Sequence, residues 1–261
     1  MNSNLTILTF YPTVLNGYIE AFKIYHFTDS SDVFLIPKGI FELVFQSQNT
    51  FHHQTNYSSG WTLRPRNFIG GLHSQSYYVN SGSKENYCIV VEFKPNTARY
   101  FIPERLNLYK NATIDINDVW GNAAQVLSNK IDQAKDFKQK VRHIESFLVE
   151  RLNPVHHSII DESLREAYAS NGFIEIAQLS KNAALSPAQF RKRFNEEVGM
   201  SPSQYSKVIR INTSLQWIKS ADISMTELTY SLGYFDQSHF IKDFKSIIGI
   251  SPKKYQKMML R

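Results

Sequence analysis

Residues 190–205 and 240–255 carry the same pattern fifty positions apart. Phe190 returns as Phe240, Phe194 as Phe244, Gly199 as Gly249, Ser201-Pro202 as Ser251-Pro252 and Tyr205 as Tyr255. Upstream the register shifts by one, so that Ile174, Ile176 and Leu179 recur forty-nine positions later as Ile223, Met225 and Leu228. Each copy is a unit of about 33 residues, and two copies are too few for a solenoid, which needs about three stacked units to bury a continuous core. The repeat therefore confines the C-terminal part of the chain to a tandem pair of small helical modules.

Each copy has the logic of a helix-turn-helix. In the first, Ile174, Ala177 and Leu179 give a short helix one apolar face, and a turn follows at 182–185. Ser186 stands as an N-cap ahead of Pro187 at the first helical position, where the missing amide proton costs nothing. The second helix is predicted over 187–198, with Phe190 and Phe194 inward and Gly199 ending it. In the second copy Leu228 and Leu232 are the inward positions and Gly233 supplies a turn able to take a positive φ. Asp236 or Ser238 caps a helix bearing Phe240 and Phe244, which Gly249 ends. The four phenylalanines read as core, so any function belongs to the outer faces. Between the copies, 204–219 reads as one connecting helix, with Tyr205, Val208, Ile211, Leu215 and Ile218 spaced by threes and fours.

Charge singles out the same region. Residues 1–171 hold 16 Lys or Arg and 16 Asp or Glu, whereas 172–261 hold 13 basic against 7 acidic residues, so the chain's formal +6 sits entirely on the repeat-bearing part. A module that binds phosphates predicts this asymmetry.

These residues carry a specific resemblance. The second unit reads Ile223, Gly233-Tyr234-Phe235-Asp236-Gln237-Ser238-His239-Phe240, Lys242, Phe244-Lys245 and Gly249-Ile250-Ser251-Pro252-Lys253-Lys254-Tyr255. Residues 172–258 thereby resemble the DNA-binding domain of the AraC-type (AraC/XylS) helix-turn-helix transcriptional regulators. The sequence departs from the family pattern at Ala184, where a turn glycine is usual, at Ser180 and Thr229, where alanine is usual, and at Gln256, where an arginine often stands. Ala184 matters physically, because a Cβ at positive φ costs about 1 kcal/mol. The resemblance implies groove-facing positions at Ala188, Arg191 and Lys192 in the first unit and Gln237, His239 and Lys242 in the second. Two recognition helices entering one face of a duplex lie about 34 Å apart, or else the DNA bends. Arg191 can read a guanine edge bidentately and Gln237 an adenine. Arg193, Lys207, Lys245, Lys253 and Lys254 are candidate phosphate contacts, with solvated charges or internal ion pairs as the alternative. The family counterpart of Arg210 makes structural contacts between the two units.

The first 105 residues are of another kind. Aromatic and β-branched runs at 18–27, 33–36, 40–45, 67–71, 76–79 and 87–93 are separated by the turn clusters Pro37-Lys38-Gly39, Ser58-Ser59-Gly60 and Asn80-Ser81-Gly82-Ser83. This spacing predicts an antiparallel barrel or sandwich. Ile36-Pro37-Lys38-Gly39 with Glu42-Leu43-Val44-Phe45, and Val91-Glu92-Phe93-Lys94-Pro95 with Ala98, loosely resemble the cupin-like sensing domain found ahead of many AraC-type DNA-binding domains. From 117 to 152 the pattern is helical, with Trp120, Ala124, Leu127, Ile131, Phe137, Val141, Ile144, Phe147 and Leu148 apolar; these helices pack under the barrel or build a dimer interface. Asn153-Pro154-Val155-His156-His157 marks the break. The expected class is α+β: a sensing or dimerisation domain over 1–157, a cupin-like antiparallel β-barrel with flanking helices, then an all-α domain over 158–261 with helix-turn-helix units at about 172–205 and 222–255.

An enzyme is not indicated. Catalytic cupins need two histidines one apart followed by a glutamate and a further histidine, but His52-His53 are adjacent in a polar stretch that reads as loop, and His73 stands alone. No metal site, cofactor or catalytic residue is expected. Cys88, the single cysteine, lies in an apolar run and reads as a buried, inert thiol. No run approaches the roughly 18 apolar residues of a membrane span, and the start lacks a basic segment before an apolar one, so a cytoplasmic protein without a membrane partner is expected. The expected function is a sequence-specific transcriptional regulator answering to a small-molecule effector. Its partners are double-stranded DNA, a second copy of the chain as a homodimer, and RNA polymerase. The alternative keeps the DNA-binding half but makes the N-terminal half a protein-interaction or dimerisation module without a small ligand. A compact aromatic-lined cavity would favour sensing, and a barrel filled by its own side chains would favour interaction.

Overall fold

The computed structural model describes all residues except 1–4, 31, 49–50, 56–59, 83–84, 154–157, 173–174, 221–223 and 260–261. Among the described residues ten strands come first: β1 (Leu5–Phe10), β2 (Ile19–Phe27), β3 (Asp32–Leu35), β4 (Glu42–Gln46), β5 (His52–Thr55), β6 (Thr62–Leu63), β7 (Asn67–Gly70), β8 (Tyr77–Asn80), β9 (Asn86–Phe93) and β10 (Thr113–Asp115). The helices follow: α1 (Ile116–Trp120), α2 (Asn122–Gln133), α3 (Phe137–Val149), α4 (Ile159–Ala169), α5 (Ile176–Asn182), α6 (Pro187–Val198), α7 (Pro202–Ser220), α8 (Met225–Ser231), α9 (Gln237–Ile248) and α10 (Pro252–Met259).

The strands form two antiparallel sheets, one six-stranded in the order β1-β2-β9-β4-β7-β10 and one four-stranded in the order β3-β8-β5-β6. Strand periodicity decides how they pack, because alternate residues point to opposite faces. In the larger sheet Phe22, Ile24, Leu43, Phe45, Ile69, Ile89 and Val91 join the core shared with the helices. Their neighbours Phe27, Val44, Phe68, Cys88 and Val90 join a second core with Phe51, Tyr77 and Val79. A sheet apolar on both faces must be covered on both. The helices cover one face, as Leu127, Ile131, Val141, Ile144 and Leu148 show by their burial, and the smaller sheet covers the other.

Six of the ten strands lie where the aromatic and β-branched runs predict them, within one or two residues. Two departures have physical reasons. His52 and His53 are not loop: they open β5, which pairs with β8 (His53 opposite Val79) and with β6. A polar stretch becomes a strand here because a neighbouring strand supplies the ladder. β1 is also unanticipated; it is an edge strand that pairs with β2, and its residues are exposed or partly buried with no buried face, which removes the pattern that marks a strand in sequence. Ile174, Ile223, Ser58, Ser59, Ser83 and most of the expected break at 153–157 lie outside the described residues. Asn153 is described, and its N–H donates to the Tyr100 carbonyl at 2.8 Å.

The helical half is seated on the strand-rich half. Tyr205 Oη donates to the Gly39 carbonyl (3.0 Å) and Asn212 Nδ2 to the Pro37 carbonyl (2.7 Å), so the connecting helix α7 rests on the 37–39 turn. The Arg99 guanidinium reaches Asp161 of α4 and Glu197 of α6, each at 2.6 Å, and Arg105 pairs with Glu196 at 2.9 Å. The backbone at Gly199, with φ of 99°, runs so close to the Leu106 carbonyl and the Phe41 ring that a Cβ would stand 3.1 to 3.3 Å from them.

Candidate nucleic-acid interface

Local chemistry builds two matching helix-turn-helix units. In the first, Ser186 and Gln189 form a reciprocal capping box with Pro187 at the first helical position, and α6 runs 12 residues until Gly199 turns left-handed. In the second, Asp236 accepts from the His239 N–H, and α9 also runs 12 residues until Gly249 does the same at φ of 85°. The register shift seen in the repeat resolves into the turns: 183–186 separate α5 from α6, whereas 232–236, one residue more, separate α8 from α9.

Ala184 takes the positive φ that its place in the motif demands, at 49°, where its counterpart Gly233 has 69°. The hydrogen bonds around the two are equivalent, Leu185 N–H to Ser180 carbonyl at 2.9 Å and Tyr234 N–H to Thr229 carbonyl at 3.1 Å. The turn geometry is therefore kept and the alanine bears the strain. Phe190, Phe194, Phe240, Phe244, Tyr205 and Tyr255 are all fully buried, as core. Arg210 lies over the Tyr234 ring at 4.8 Å, tying α7 to the second unit.

The outer faces hold the six residues that the family resemblance singled out. Ala188, Arg191 and Lys192 are exposed on α6, within about 100° of arc at 100° per residue. On α9, Gln237, His239 and Lys242 are exposed too but span about 200°. Gln237 is held by its Nε2 donating to Thr226 Oγ1 (2.6 Å), and the His239 ring stands edge-on to Tyr234. Superposing the repeats in register (Phe190 on Phe240) places Ser238 and Ile241 where Ala188 and Arg191 stand in the first unit. Of the two expected caps Asp236 is the one used, and Ser238 lies exposed inside α9 where the repeat sets it opposite Ala188.

The candidate phosphate contacts divide. Lys245, Lys253 and Lys254 are exposed. Arg193 pairs with Glu197 (2.7 Å), and Lys207 pairs with the buried Asp243 (2.7 Å), which also faces His239 at 3.8 Å. For those two cations the internal ion pair is what the structure shows. Asp243 was not anticipated; its four-residue spacing from His239 was the available sign.

The strand-rich half holds a cavity of about 80 Å³ between the two sheets, lined by Tyr25, Phe27, Phe51 and Phe68 among other apolar residues. Burial pushes the Cys88 thiol up to about 12, leaving it protonated and inert. Burial, then Arg64 and His53, push His73 down to about 3, so it is neutral. Among the described residues no cluster of three or more His, Cys, Asp or Glu is arranged to hold a metal.

Known families and proteins are similar to parts of this chain. A family model described as a helix-turn-helix domain matches residues 179–258, and one described as a domain of unknown function matches 12–115. An HTH-type transcriptional regulator of Haemophilus influenzae is 32% identical over 82 residues, covering 31% of this chain and 28% of that one. The arabinose operon regulatory protein of Escherichia coli is 22% identical over 122 residues, covering 43% and 42%. The chain thus spans less than half the length of these two relatives. The crystal structure of ToxT from Vibrio cholerae shares the fold with a TM-score of 0.50 at 13% identity, covering 92% of this chain and 98% of that one.

Proposed function

We propose that this chain, an AraC-type helix-turn-helix regulator with an N-terminal strand-rich domain, binds specific DNA sequences through α6 and α9 and responds to a small molecule held in the N-terminal half. The observation that carries the DNA-binding part is the pair of capped 12-residue helices whose outer faces present Arg191, Lys192, Lys242 and Lys245 on the half bearing all the net charge. Phosphate attraction supplies affinity and the base edges supply specificity. Arg191 is assigned to direct readout, Lys192 and Lys242 to the groove, and Lys245, Lys253 and Lys254 to phosphates. The ion-paired Arg193 and Lys207 must give up their carboxylates to serve as well.

The cavity between the sheets supports sensing over a purely interacting barrel, and the 37–39 turn gives it a route outward. Leu35, Lys38 and Glu42 around this turn line the cavity, while Gly39 and Pro37 receive hydrogen bonds from α7. A ligand can shift such an arrangement only by binding its alternatives unequally. The domain boundary is placed at 157/158, the chain acts as a homodimer through residues 1–157, and RNA polymerase is the machinery a regulator of this kind would act upon. The relatives are transcriptional regulators, and we read the chain as a regulator without catalysis, working in the cytoplasm; among the described residues no helix is long and apolar enough to cross a membrane.

Titrating the full chain with fluorescent duplexes at increasing salt tests the reading. With about six to ten phosphates neutralised, affinity drops roughly 10³- to 10⁵-fold between about 50 and 200 mM salt. A folded protein with no salt-dependent binding to any duplex pool removes it.

A further inference from the structure

Phe235 is the most exposed large apolar side chain among the described residues, at 87%. The tandem repeat shows why the fold does not employ it. Ala184 and Gly233 hold the same positive-φ place, Leu185 and Tyr234 donate the equivalent hydrogen bonds that follow, and Ser186 and Asp236 are the N-caps of α6 and α9. Leu185 leads directly into Ser186, whereas Phe235 stands between Tyr234 and Asp236. It is therefore the residue by which the second turn exceeds the first. A hydrophobic residue before an N-cap often packs onto the fourth helical position, here Phe240. Tyr234 has taken that contact instead, 3% exposed with its ring 5.4 Å from that of Phe240. A single exposed apolar residue is ordinary on a protein surface; what sets Phe235 apart is its place.

The helix that follows it is held at the opposite end. The Ser76 N–H donates to the Ile247 carbonyl at 2.7 Å, and Phe34 and Tyr78 of the smaller sheet share a crevice with Ile248, Gly249 and Ile250. At 1.5 Å per residue the 12-residue α9 carries its N-terminal end about 18 Å from that anchor. Phe235 thus stands in solvent at the free end of α9, next to the exposed Gln237, Ser238 and His239. With consecutive Cα atoms 3.8 Å apart, it lies within about 7.6 Å of Gln237. A recognition helix presents its N-terminal residues to base edges in the major groove. A phenyl ring carries no hydrogen-bond donor or acceptor, and the apolar group that the major groove offers is the thymine C5-methyl. We infer that Phe235 is a specificity-determining residue of the second unit, its ring packed on a thymine methyl within the site read by α9. The inference rests on the reading of α6 and α9 as DNA-binding helices, and it gives the second unit an apolar contact where Arg191 gives the first a hydrogen-bonding one.

The test titrates the full chain and its Phe235→Ala variant against a fluorescent duplex that the wild type selects from a random pool. Phe235→Ala leaves Tm unchanged, because the ring is solvated in the free protein, and weakens binding to the selected duplex about ten-fold. It leaves the salt dependence as it was, since no phosphate contact is lost. Replacing thymine by deoxyuridine, one position at a time on both strands, removes only a methyl group. At one position in the half-site of α9 this weakens the wild type about four-fold, the worth of one buried methyl, and leaves Phe235→Ala unaffected. Arg191→Ala, altered in the other unit, still shows the four-fold loss there. Equal affinity of Phe235→Ala and wild type for the selected duplex overturns the inference and leaves the ring to a protein partner. A methyl penalty that is the same for both proteins at every thymine, or a binding loss that comes with a lowered Tm, overturns it too. Wild-type protein that binds no duplex removes the DNA-binding reading together with this one, whereas salt-dependent binding that Phe235→Ala does not alter removes this contact alone.

Discussion

Arg99 joins the two halves, and cutting that joint measures how far they act as one body. Its guanidinium is one-tenth exposed and reaches Asp161 and Glu197 at 2.6 Å, with those carboxylates 17% and 21% exposed. Unit charges 4 Å apart attract by about 4 kcal/mol at an effective dielectric of 20. Desolvation of the ions removes much of that gain. Exposed pairs retain about 0.2 to 1 kcal/mol, and breaking a fully buried pair costs about 3 to 5. With both carboxylates about a fifth exposed, the expected coupling is about 1 to 2 kcal/mol for the Arg99–Glu197 pair. Urea unfolding of wild type, Arg99→Met, Glu197→Gln and the double variant closes the cycle. Arg99→Met alone loses about 2 to 4 kcal/mol, because Asp161 loses its cation as well and keeps the neutral Asn96 and Ser158 donors. A coupling under about 0.3 kcal/mol, within the scatter of independent sites, would show that the pair is not made in solution and that α6 is not clasped by the N-terminal half.

Phe194→Ala empties the fully buried centre of the first unit and should cost about 3 to 5 kcal/mol in thermal or urea unfolding. Arg191→Ala should leave Tm unchanged, lose about 1 to 3 kcal/mol on a duplex selected from a random pool, and lose far less on random DNA; equal losses on both would make Arg191 a phosphate contact. His73 has a folded pKa of about 3 against an ordinary 6.5, so the unfolded chain takes up the proton first as pH falls. Its contribution is whole above pH 6.5 and is lost between 6.5 and 3, about 2 kcal/mol by pH 5. His73→Phe should flatten that part of the stability curve, and an unchanged slope between pH 5 and 7 would place the imidazole in contact with water. Sedimentation should find the full chain dimeric at micromolar concentration, and a monomer would leave the N-terminal half without the assembling role proposed for it.

Much of the DNA-binding half was legible in the sequence because helices and their ends are settled by near neighbours. A capping serine, a proline at the first position, phenylalanines four apart and a glycine in left-handed conformation all act within one or two turns. Even the strain at Ala184 followed from its place in the motif. The candidate readout positions were legible only through the repeat and the family resemblance, and the structure adds that Gln237 is tied to Thr226 and Lys207 to Asp243, contacts between elements that no local pattern encodes.

The strand-rich half divides differently. Aromatic and β-branched runs between turn residues located six of its strands, because strands covered on both faces are apolar along their length. The order β1-β2-β9-β4-β7-β10, the paired β5 carrying His52 and His53, and the burial of Arg64 over the Phe68 and Tyr77 rings were decided by the tertiary structure alone. A strand's hydrogen bonds go to partners tens of residues away, so a polar segment becomes β-structure when a neighbour offers an edge. In sequence Arg64 is an ordinary arginine beside a proline. Only closure of the two sheets encloses it away from water, and there the faces of Phe68 and Tyr77 take the place of the lost hydration.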